Sequence, residues 1–78
     1  MLLTFEYNRN GVVEIFMDED GREKFVKSLQ RLSTTNAEID HDHLMTPSWA
    51  GIELTEELQN PANDLINKVT VFLVEDNG

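Results

Sequence analysis

The chain has 78 residues, no cysteine and a net charge of -9, with 40% hydrophobic and 27% charged residues. This excludes disulfides and thiolate-ligated metal centres, and it is too apolar for a disordered segment. No apolar run approaches the roughly 20 residues that span a bilayer, and the N-terminus lacks the basic-then-apolar layout of a signal peptide, so a soluble cytoplasmic protein with one domain over 1–78 is expected.

Leu3, Phe5 and Tyr7 alternate with Leu2, Thr4 and Glu6, and Val13, Ile15 and Met17 alternate with Val12, Glu14 and Phe16. Both runs carry the period-2 pattern of half-buried strands. Between them Asn8-Arg9-Asn10-Gly11 signals a hairpin turn. A two-residue Asn10-Gly11 turn would set Tyr7 opposite Glu14, mixing polar and apolar side chains on one face. A three-residue loop of Arg9, Asn10 and Gly11 instead pairs Tyr7 with Val13, Phe5 with Ile15 and Leu3 with Met17. That register makes one face wholly apolar, so it is the one expected, with Gly11 in the left-handed conformation. Its cost is Glu6 opposite Glu14 on what should be the wet side.

A helix follows, capped by Asp18 or Asp20, the latter having capping-box spacing to Glu23. Phe25, Leu29 and Leu32, with Val26 beside them, form an apolar stripe that should lie on the sheet. Polar residues 33–36 end it. Residues 39–45 read as a third strand, with Ile39, His41, His43 and Met45 on one side and Asp40, Asp42 and Leu44 on the other. Residues 65–75, rich in β-branched side chains, read as a fourth, with 76–78 a polar tail. The fold class expected is α+β: ββαββ, a four-stranded antiparallel sheet in the order 2-1-3-4 with one amphipathic helix on one face.

Residues 46–64 join the last two strands, and nineteen residues is long for such a connection. Pro47 can open one helical turn and Thr55 can cap another. Trp49, Ile52, Leu54 and Leu58 are apolar anchors that should keep the segment ordered. Trp49 has two readings: a pin holding the loop on the domain, or a partly exposed anchor inside an acidic rim of Glu53, Glu56 and Glu57, the layout of interface hot spots.

Few patterns suggest chemistry. His41-x-His43 puts two imidazoles on one strand face, but a catalytic metal site needs a third protein ligand from elsewhere, and hydrogen-bonded sheet histidines are the plainer reading. Ser28, Ser33 and Ser48 lack a nucleophile turn, and no glycine-rich phosphate loop exists. No catalytic residue, metal or cofactor is expected. The charge is lopsided: residues 1–31 carry six acids and five bases, whereas residues 32–78 carry nine acids and only Lys68. Such a surface disfavours nucleic acid and anionic membrane and favours a basic protein partner.

The segment His43-Leu44-Met45-Thr46-Pro47-Ser48-Trp49-Ala50-Gly51-Ile52-Glu53-Leu54, followed later by Leu65-Ile66-Asn67-Lys68-Val69, resembles the immunity protein 32 family. Asp20-Gly21 opening the helix and Leu29 and Leu32 closing it extend the likeness over most of the chain. These are small immunity proteins of bacterial polymorphic toxin systems. The resemblance implies an α+β fold and a non-enzymatic inhibitor that binds and occludes a cognate toxin domain. His43 and Trp49 fall at characteristic positions. With the acidic surface, this makes Trp49, Glu53, Glu56, Glu57, Asp40, Asp42 and His43 the candidate partner-binding residues, and a basic toxin the expected partner. The alternative of another class is a small structural or regulatory subunit that self-associates through an exposed edge strand, as a homodimer.

Overall fold

The computed structural model describes residues 1–76; Asn77 and Gly78, the end of the expected polar tail, lie outside the described residues. The chain runs β1 (Leu3–Asn8), β2 (Val12–Met17), α1 (Glu19–Gln30), β3 (Ile39–Met45), a 3-10 turn (Pro47–Trp49), β4 (Asp64–Leu65) and β5 (Lys68–Val74). This is an α+β fold with one helix and antiparallel sheets.

The first hairpin has the expected register: Leu3 faces Met17, Phe5 faces Ile15 and Tyr7 faces Val13. Gly11 closes the three-residue loop at φ +88°, where a side chain would be strained. Helix α1 begins at Asp18, whose carboxylate accepts the Gly21 amide at 2.7 Å. The capping box from Asp20 does not form, because Asp20 already lies inside the helix. Asp18 also donates its amide to the Leu2 carbonyl. A Cβ on Gly21 would sit 1.7 Å from that carbonyl oxygen, so the helix start presses on the chain just before β1. Phe25 then meets Phe5 edge-on, with ring centroids 5.5 Å apart.

The four-stranded sheet is replaced by two smaller ones. One is β2-β1-β4; the other is a β3-β5 ribbon, so β3 does not lie beside β1. The reason is a break in the last predicted strand. Ile66 donates to the Phe5 carbonyl, while Asn67 accepts both the amide and the hydroxyl of Thr46. The chain thus leaves the first sheet at Leu65 and enters the second at Lys68. Leu3, Phe5, Leu44 and Leu54 form the buried core between them, with Phe25, Ile66, Val69 and Val71 packed against it.

The hairpin's expected wet side is covered. Thr4 and Glu6 are fully buried under the long loop. Thr55 does not cap a helix; its hydroxyl accepts the Leu3 amide and pairs with Thr4 Oγ1, and its amide donates to the Leu3 carbonyl. The Glu6 carboxylate accepts the Gln59 and Asn60 amides and Asn63 Nδ2. Asn63 Nδ2 also reaches Glu14, so the amide bridges the two facing carboxylates that the register brings together.

Candidate functional site

The 3-10 turn starts at Pro47, as its place after Thr46 predicts. Trp49 and Gly51 donate their amides to the Thr46 carbonyl, Ala50 donates to Pro47, and Leu54 donates to Met45. Ala50 takes a left-handed conformation, φ 65°. Gly51 is needed for a different reason: a Cβ there would lie 2.3 Å from the Met45 carbonyl oxygen. The Trp-x-Gly pattern therefore describes a turn folded tightly onto the end of β3.

Two carboxylates brace this turn. Glu53 accepts the Ile52 amide at 2.9 Å and the Met45 amide at 3.4 Å. Partial burial pushes its carboxyl up, but these backbone amides, with its own, outweigh burial and hold it below the ordinary range. Glu56 accepts the Ser48 amide at 2.6 Å. Hydrogen bonds from the Ser48 hydroxyl and amide, and from Thr46, likewise hold its carboxyl low. Both groups stay ionised while fixing the backbone that carries Trp49.

Trp49 is 53% exposed and Ile52 is 88% exposed, while Leu54 is buried. Leu54 is the buried apolar anchor of the loop; Trp49, Ile52 and Leu58 are not the pins expected. Polar anchoring through Glu6, Glu53, Glu56 and Thr55 replaces them. Ile52 and Leu54 were both expected as anchors of the loop, and only Leu54 is buried. The chain bends at residues 52–54, and its two side chains part. Behind Ile52 a shallow groove of about 330 Å³ runs along α1, lined by Lys24, Lys27, Ser28, Arg31 and Glu53.

The remaining candidates separate. Glu57 is exposed, and among the described residues its carboxylate carries no hydrogen bond, only its carbonyl accepting Gln59 Nε2. Asp40 is half-buried and accepts the Ser33 and His41 amides, so it ties the segment after α1 to β3. Asp42 is half-buried on that same ribbon face, opposite Val71. His43 is on the other face, exposed, with Nδ1 3.0 Å from Thr70 Oγ1. His41 packs against His43 at 4.9 Å and stacks on Phe72 at 5.7 Å. Trp49, Glu53 and Glu56 are thus one cluster, whereas Asp40, Asp42 and His43 lie on the ribbon.

The ribbon holds a second open surface that sequence reading missed: Ile39, Phe72 and Val74 are 57%, 60% and 58% exposed. Among the described residues no three His, Asp or Glu side chains gather to hold a metal ion, and no helix is long and apolar enough to cross a membrane. Comparison of the chain with family models, with curated proteins and with solved structures gives no match.

Proposed function

We propose that the chain is an immunity-type inhibitor, without catalysis of its own, that binds and occludes a basic toxin domain in the cytoplasm. The observation that carries this is the exposure of Trp49 and Ile52 on a turn held rigid by its own backbone bonds and by two ionised carboxylates. A large aromatic displayed on ordered backbone loses little entropy on binding, which is how hot-spot anchors act. The net charge of -9 adds long-range attraction for a cationic partner and speeds the encounter, although Lys24, Lys27 and Arg31 border Ile52 itself. The later part of the motif that resembles the immunity family, from Thr46 to Leu54, forms this turn, whereas His43 lies on the ribbon.

The test is titration of the purified chain against the toxin domain encoded beside it, read by calorimetry and by the toxin's own activity. Trp49→Ala is expected to weaken binding by about 30-fold or more. Glu57→Lys, which leaves the braces intact, should slow association, with the effect fading in high salt. Absence of binding by the unaltered chain would end the inhibitor reading. Full affinity after Trp49→Ala would move the contact elsewhere.

A further inference from the structure

The ladder between β3 and β5 fixes which backbone groups are spent. Thr46 N donates to Asn67 O, and Glu75 N donates to Glu38 O, at the two ends of the ribbon. With the register between them, the amides and carbonyls of residues 69, 71 and 73 point at β3, and those of Lys68, Thr70, Phe72 and Val74 point away. Among the described residues nothing pairs with that outer row. The corresponding margin of β3 is partly closed: Asp40 takes the His41 amide, and Glu53 and Leu54 cover Met45. Two-stranded ribbons are marginal alone, and long open edges invite another strand.

We propose that the outer edge of β5 pairs antiparallel with β5 of a second copy, joining two ribbons into a four-stranded sheet. A two-fold axis through Val71 sets Lys68 against Val74 and Thr70 against Phe72 of the other copy. Every outward group of the four residues then has a partner, and an aromatic faces a β-branched side chain on each side of the axis. The charges fit the same direction. The strand begins at a cation, Lys68, and is followed by Glu75, so antiparallel pairing brings unlike ends together. The β2 edge of the first sheet has no such match. It runs into Asp18, Glu19 and Asp20, and the arginine before it, Arg9, is already paired with Asp64 at 3.2 Å. The net charge of -9 on each copy opposes association, but charges beyond about 8 Å are screened at physiological salt. This proposal does not depend on the inhibitor reading.

The test is sedimentation over a concentration series, paired with amide hydrogen exchange on the unaltered chain. A reversible dimer is expected, with protection of the Thr70, Phe72 and Val74 amides rising with concentration while those of Val13, Ile15 and Met17 stay unchanged. Phe72→Pro removes one outward donor and none of the bonds to β3, and should raise the dissociation constant at least about tenfold. Lys68→Glu should raise it about fivefold. A monomer at millimolar concentration overturns the proposal. So does a dimer whose added protection falls on β2.

Discussion

β1 and β5 make an instructive pair. By composition β5 is the better core strand, with Val69, Val71, Phe72, Leu73 and Val74 against the Thr4 and Glu6 of β1. Yet Thr4 and Glu6 are fully buried, while Phe72 and Val74 are more than half exposed. The difference lies in what the chain lays over each strand. β1 has α1 on one face, the long loop on the other, and both margins occupied: β2 on one side, Thr55, β4 and Ile66 on the other. β5 has one neighbour and one bare face. Burial here follows coverage, and coverage follows from polar side chains that match the loop's backbone donors.

The sharpest way to break this contrast is Glu6→Ala. It leaves the partly buried Gln59 and Asn60 amides without their acceptor and Asn63 Nδ2 with only its bond to Glu14, and urea unfolding is expected to register a loss of about 3 kcal/mol. Leu54→Ala removes the loop's buried apolar anchor and should cost about 2–4 kcal/mol by the same measurement. Acid should act more gently. Glu53, Glu56, Asp18 and Asp64 all have carboxyls held below their ordinary range in the folded chain. Their contribution is therefore complete above the unfolded carboxyl range, near pH 4, and is lost as pH falls through the lower folded values. Thermal melts should show a flat melting temperature above about pH 5 and a decline below about pH 4. The smallest effect belongs to the ribbon: in dilute solution Phe72→Ser should cost less than about 1 kcal/mol, because its ring is already mostly in water. A loss comparable to that of Glu6→Ala would show that something covers the ribbon.

Much of the local structure was legible. Register in β1–β2 followed from keeping one face apolar, with Gly11 as its hinge, and the turn at Pro47 followed from proline's fixed φ. The split into two sheets was not, because residues 65–75 read as one continuous β-prone run. Nothing in that pattern reveals that Asn67 turns to Thr46 while Ile66 bonds Phe5. The site was half legible for the same kind of reason. Trp49 and the carboxylates after it stood out by type, but the bracing roles of Glu53 and Glu56 depend on amides brought near by the bend. Glu6 was misassigned to solvent because strand alternation alone cannot see a loop folding over the second face.

Asp40 has a consequence for how such a molecule grows. Its side chain sits on the His41 amide, and the turn crowds Met45, so the ribbon has one welcoming margin and one obstructed one. Strands added there would saturate after a single neighbour instead of stacking onward. The same short carboxylate that fastens the segment after the helix thus takes up one of the amides that a further strand at that margin would need.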